Sequence, residues 1–209
     1  VIFAKNDSKM KKALLVSMII CSNWTFGQAQ KGSEAVEKFQ KEINTEYAST
    51  EKSPLLKEDL AVFKSLDFFP YNPNLQIEAR FVRTPNEKVF EMKTSTTRKP
   101  LYIKFGEAHF KIDGKALVLN IYQNIELSKK KEYVDYLFLP FSDLTCGKES
   151  YIGGRYIDLK IPTSDTILID FNTAYNPYCA YNHKYSCPIV PLENDLPVAI
   201  NAGVKKFHD

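Results

Sequence analysis

Ala108-His109-Phe110-Lys111-Ile112-Asp113-Gly114-Lys115-Ala116-Leu117-Val118-Leu119 decides the architecture. Asp-Gly is a two-residue turn signal, because the tight hairpin turn needs positive φ at both central positions. Counting outward from that turn sets Phe110 opposite Leu117 and Ala108 opposite Leu119, with Ile112 on the same face. The apolar partners all share one side, and a slip of one residue would turn every one of them into water. The stretch is an antiparallel hairpin with one buried face.

The same period of two extends in both directions. Leu75, Ile77, Ala79 and Phe81 alternate with Gln76, Glu78 and Arg80, and Leu101, Ile103 and Phe105 alternate with Tyr102 and Lys104. Further strands are expected at Asp135–Leu139, Arg155–Ile161 and Thr166–Phe171. Before Leu66 the period is helical. Ala35, Val36, Phe39 and Ile43 form one stripe across Ser33–Glu46, polar Ala48–Ser53 interrupts it, and Pro54 is suited to the first turn of a second helix carrying Leu56, Leu60 and Phe63. The expected fold is mainly β (α+β): N-terminal helices, then an antiparallel β-sandwich or barrel with a long irregular C-terminal loop. Residues 30–53 form the first helix and linker, and residues 54–209 form one domain.

Length and charge narrow the function classes. A chain of 209 residues buries a sizeable core without help from disulfides. Its 28 basic and 25 acidic side chains are unevenly placed. Lys5, Lys9, Lys11 and Lys12 face only Asp7 up to Ala29, and removing these five leaves 24 of each sign. A neutral body argues against nucleic-acid binding, which requires a positive face.

Met10-Lys11-Lys12, the apolar run Ala13–Cys21, and small Gly27 and Ala29 have the layout of a secretory signal. Cleavage after Ala29 leaves 180 residues beginning at Gln30, and residues 1–9 read as lying upstream of the start. The run is far shorter than the roughly 20 residues that span a bilayer. Lipidation at Cys21 is disfavoured by the bulky Ile20 before it. The mature protein is expected to be periplasmic or secreted, with no integral membrane segment.

One segment has an unusual composition. Asp170 to Pro191 holds four of the 12 Tyr, three Asn, three Pro and two Cys, with only Asp170 and Lys184 charged. Pro and Asn oppose regular structure, yet so many aromatics are not left bare in water. An ordered irregular loop follows, its backbone bonded by Asn and Tyr side chains. Such loops on rigid scaffolds carry function, and they also serve simply as long crossovers.

Phe141-Ser142-Asp143-Leu144-Thr145-Cys146-Gly147-Lys148-Glu149-Ser150-Tyr151, then Gly154–Asp158, then Asp170–Pro191, resemble the bacterial domain-of-unknown-function 1684 family. Glu193–Pro197, Ile200 and Ala202-Gly203 continue the likeness, which covers roughly Pro54 to Lys205. Cys146, Ile152 and Val204 depart from the residues usual in the family, Ser, Gly and Glu. The resemblance implies membership and no particular reaction.

The chemistry that can be read from the residues is sparse. Cys179 and Cys187 are expected to form a disulfide in an oxidising compartment, closing a short loop worth roughly 2–3 kcal/mol. Buried thiols are the alternative, and a metal site is disfavoured because no second ligand pair completes a tetrahedron. His109, His183 and His208 are the only histidines, and no nucleophile elbow, zinc-binding helix or phosphate-cradling glycine loop occurs. No cofactor is expected.

Polar groups able to converge are Asp143, Thr145, Tyr151, Arg155, Asp158, Asp170, Asn172 and Asn176. Arg155 supplies a planar fork for a carboxylate, and Tyr151, Tyr175 and Tyr178 supply apolar walls with polar tips. Two readings follow. One is a non-catalytic module holding a small molecule, glycan or envelope partner beside the Tyr/Asn-rich loop. The other is a hydrolase using paired carboxylates such as Asp158 and Asp170, with their pKa values split by environment.

Overall fold

A computed structural model describes residues 32–208, so the export-signal reading lies outside the described residues. Helix α1 spans residues 32–47 and α2 spans Lys57–Val62. Seven strands follow: β1 Gln76–Arg83, β2 Phe90–Glu91, β3 Leu101–Ile112, β4 Lys115–Asn124, β5 Tyr136–Phe141, β6 Arg155–Lys160 and β7 Thr166–Asp170. They form one antiparallel sheet in the order β6-β5-β4-β3-β1-β7, with β2 added to β3, curled into a half-barrel.

The β3–β4 hairpin has the expected register, with Phe110 facing Leu117 and Ala108 facing Leu119. Asp113 and Gly114 adopt φ of 49° and 78° at the turn. Further along β3 the alternation expected for Leu101 and Tyr102 is reversed. Pairing slips by one residue between Lys104 and Gly106, and an extra residue in one strand turns the side chains beyond it to the other face. Leu101 is therefore exposed, whereas Tyr102 is buried.

That bulge helps to divide the sheet into two chemically distinct faces. On the inner face Phe105, Ala108, Phe110, Leu119, Ile121 and Leu137 join Leu139, Phe141, Ile157 and Ile169 in the main core. The C-terminal tail completes this core with a period of two, burying Leu196, Val198, Ile200 and Ala202. The other face of β3–β6 carries Tyr102, Tyr122, Phe138 and Tyr156, a second cluster flanked by Tyr136 and Tyr175. Strand β5 is buried on both sides, so its sequence reads as an unbroken apolar run.

Helix α1 spans the expected segment and anchors through Tyr47, which packs with Leu55, Leu66, Tyr181 and Val204. The second helix differs from expectation. It begins at Lys57, and no residue of it is fully buried. Ser53 Oγ accepts the Leu55 amide at 3.2 Å, a local turn that keeps Pro54 and Leu55 outside the helix. Leu60 and Phe63 still lean on the Tyr47 cluster. No helix among the described residues is long and apolar enough to cross a membrane.

Two buried asparagines replace strand pairing where the backbone is irregular. Asn194 Oδ1 accepts the Asn120 amide at 2.8 Å, and its Nδ2 donates to the carbonyls of Asn120 at 2.9 Å and Pro140 at 2.6 Å. Asn172 treats the Asn72 amide and carbonyl in the same way, at 2.8 and 2.9 Å. Each side-chain amide acts as one rung of a ladder. Replacing Asn194→Ala is expected to strand these groups, at roughly 1–3 kcal/mol for each that stays dry. Urea unfolding measures the loss, and an unchanged midpoint would refute this role.

Candidate functional site

The residues expected to form one site occupy separate places. Arg155 opens β6 after Gly154, whose φ is 83°; a Cβ there would lie 2.5 Å from the Phe141 carbonyl oxygen, so only glycine fits. The Arg155 side chain then runs into the interior with no exposed surface. Its Nη2 donates to Asp143 Oδ2 at 2.7 Å and to the Ile200 carbonyl at 2.8 Å, and Nη1 donates to the Ala202 carbonyl. The guanidinium lies 5.3 Å from the centre of the Phe141 ring. Asp143 Oδ1 accepts the amides of Thr145 at 2.9 Å and Ile200 at 3.0 Å. Thr145 in turn meets Ser150, oxygen to oxygen, at 2.8 Å. Arg155, Asp143 and Thr145 thus form a sealed clamp between the β5–β6 connection and the C-terminal tail.

Asp170 and Asn172 form a cap. Asp170 Oδ1 accepts the Asn172 amide at 3.0 Å and its Nδ2 at 2.8 Å, and Oδ2 accepts Gln76 Nε2 at 2.9 Å. Asn176, fully buried, donates to the Lys205 carbonyl at 2.8 Å. Asp170 and Asn172 are thus spent on each other, on Gln76 and on the Asn72 backbone, whereas Asn176 Oδ1 is buried without a partner.

Cys179 and Cys187 are adjacent free thiols in this structure. The Cys179 amide donates to Cys187 Sγ at 3.1 Å, and the Cys187 amide donates to Ser95 Oγ at 3.1 Å. The hydrogen bond between the two sulfurs lowers the Cys179 thiol to about 6 and raises Cys187. Tyr151 stands beside this pair. Among the described residues, no three His, Cys, Asp or Glu come together as a metal-binding group.

Asp158, Tyr175 and Tyr178 are brought together, in a groove of about 560 Å³ between α1 and the tyrosine face of the sheet. Its floor is Tyr102, Phe138 and Tyr156, and one side is Phe39, Ile43 and Tyr47 of α1. The irregular loop supplies the opposite side, because Tyr175 pairs with Tyr156 as an added rung, amide to carbonyl both ways at 2.8 and 3.0 Å. Tyr136 and Tyr175 both donate to Asp158 Oδ1, at 2.8 and 2.7 Å. Tyr178 donates to Glu46 Oε1 at 2.5 Å. Two carboxylates thus stand in the groove, each held by tyrosine hydroxyls, and Glu42 lies beside them.

Residues 61–205 match the family described as "Protein of unknown function (DUF1684)". The chain belongs to the DUF1684 family. Its fold resembles the solution NMR structure of an uncharacterized protein from Haloarcula marismortui, with a TM-score of 0.67 and 29% identity over 86% of this chain and 96% of that one. No curated protein matches it. Residues 61–205 include β1–β7 and the Tyr/Asn-rich loop, whereas the α1 side of the groove precedes them.

Sequence reasoning missed Tyr102, Tyr136, Phe138 and Tyr156, as well as Glu42, Glu46 and Tyr47. The available signal was bulky aromatics within expected strands, with Tyr102 read as facing the polar side and no facing assigned to Tyr136, Phe138 or Tyr156. What covers them was hidden, since α1 is distant in sequence.

Two measurements test this description. Arg155→Leu leaves Asp143 buried without its partner and is expected to destabilise the fold by about 3–5 kcal/mol. Arg155→Leu with Asp143→Leu should recover part of that loss in urea unfolding, because no lone charge remains; a single variant as stable as wild type would refute the clamp.

The second is alkaline. Burial, reinforced for Tyr136 and Tyr175 by the neighbouring Asp158 carboxylate, holds Tyr136, Tyr156 and Tyr175 protonated well above the ordinary tyrosine range. In the unfolded chain a tyrosine ionises near pH 10, so above that the unfolded state loses protons first. Stability is then complete below about pH 10 and falls above it, by about 1.4 kcal/mol per pH unit for each such tyrosine. Unfolding midpoints followed against phenolate absorbance check this, and Tyr175→Phe should make the decline shallower.

Proposed function

We propose that this domain is a binding module that holds a small organic molecule in the groove between α1 and the tyrosine face of β3–β6. The observation that carries the reading is the form of the groove. A concave site of about 560 Å³ is in the size range of ligand pockets, which are mostly apolar with a few convergent polar groups. Here the apolar part is aromatic, and the polar part is Asp158 with the tyrosine hydroxyls that orient it. Tyr156 and Phe138 meet edge to face at 4.7 Å, so the floor is rigid before any ligand arrives and little ordering is lost on binding.

The hydrolase reading has less support. Arg155 is sealed against Asp143, and Asp170 is engaged with Gln76 and Asn172. Acid–base hydrolysis asks one carboxyl to donate a proton, whereas Asp158 and Glu46 both accept from tyrosines. The Lys-apolar-small pattern of residues 11–29 supports action outside the cytoplasm, as part of the same proposal.

Thermal unfolding against a panel of saccharides, amines, amino acids and small aromatic compounds tests the reading. A ligand present at one hundred times its Kd should stabilise the protein by about 2.7 kcal/mol. Leu127 lines the groove, and Leu127→Trp should fill it, abolishing that gain while leaving the unliganded midpoint nearly unchanged. Equal stabilisation of the Leu127→Trp protein would place the ligand elsewhere.

A further inference from the structure

We propose that the ligand of this groove carries a positive charge, as an alkylammonium or quaternary ammonium group. This deepens the binding-module reading and rests on it. Three observations converge. The carboxylates lining the groove are Asp158, Glu42 and Glu46, and no Lys or Arg among the described residues lines it. An anionic ligand would meet like charges with no counterpart, a cost of confined electrostatics.

The second observation is aromatic. Tyr102, Phe138, Tyr156 and Tyr175 line one side and Phe39 and Tyr47 the other, and the face of an aromatic ring attracts a cation through its quadrupole. The hydroxyl protons of Tyr136, Tyr175 and Tyr178 are directed onto carboxylates, not into the groove. The groove therefore offers a ligand mainly acceptors and π-faces. A sugar would find acceptors for its hydroxyls but nothing to balance the charges.

The third is the disposition of the nearby cations. Arg98 is turned away onto Ser186, donating to its carbonyl at 2.7 Å and its hydroxyl at 3.2 Å. Lys184 lies over the Tyr185 ring at 4.9 Å. Asp158 and Glu46 instead accept from tyrosine hydroxyls. Lys38 pairs with Glu42 at 3.8 Å on the exposed side of α1, so the negative charge left for something from outside is that of Asp158 and Glu46.

Isothermal titration of the full chain compares choline with 3,3-dimethylbutan-1-ol, its neutral isostere with carbon in place of nitrogen. Choline is expected to bind about fivefold more tightly, the difference that a solvent-accessible cation–π contact produces, and to weaken at high salt. Asp158→Asn should remove most of this preference and leave the alcohol's affinity unchanged. Glu46→Gln keeps an acceptor for Tyr178 and provides a second variant should Asp158→Asn fail to fold.

Equal affinity for the two compounds would overturn the cationic assignment and leave the groove as a binding site. So would a neutral saccharide that stabilises the protein when choline does not bind. Failure of every compound class, choline included, would remove the binding-module reading itself. The wild-type comparison alone discriminates these outcomes.

Discussion

The buried pair of Arg155 and Asp143 is the constraint around which the rest of the chain is arranged. Both side chains are wholly removed from water, and an ion in that position is tolerable only when its remaining donors and acceptors are met. The Nη groups and the carboxylate are met by the backbone of the C-terminal tail, through Ile200 and Ala202, and by Thr145 in the β5–β6 connection, leaving Arg155 Nε as the one buried donor of the pair without a partner. Leu196–Ala202 consequently lies along the open part of the half-barrel, where its alternate apolar side chains close the core.

The sheet serves two chemistries because its strands have two buried faces. Inward-facing positions are aliphatic or phenylalanine and build the core. The opposite face of β3–β6 is largely tyrosine, a side chain that brings a large apolar surface together with a polar tip. A bulge in β3 sends Tyr102 to this face while Phe105 remains with the core. Covered by α1 and by the loop, the tyrosine face becomes the wall of a groove in place of an exposed apolar patch.

The aspartates show how environment assigns different duties to one residue type. Asp143 balances an arginine in the interior, Asp170 caps the turn after β7, and Asp158 faces the groove with tyrosine hydroxyls upon it. Asn172 and Asn194 add a further economy, each amide group standing in for a strand partner. Most of the polarity in the Asp170–Pro191 segment and the tail therefore serves to satisfy backbone. The tyrosines of the same segment are what remain for a ligand.

Local pattern carried a good part of this structure. The Asp113-Gly114 turn dictated its own register, because period-two burial and positive-φ chemistry agree there. The span of α1, the strands near Asp135–Leu139, Arg155–Ile161 and Thr166–Phe171, and the irregularity of the Tyr/Asn-rich loop were likewise visible in residue order. Those features depend on neighbours within a few positions. The gathering of site residues did not. Arg155 and Asp158 are three apart on one strand, yet one enters the interior and the other reaches the groove, since odd and even positions point to opposite faces. Only the curl of the sheet, the bulge in β3 and the docking of α1 decide which face is core and which is cavity. Those are contacts between segments far apart in sequence, 132 residues between Glu46 and Tyr178, and no local period encodes them.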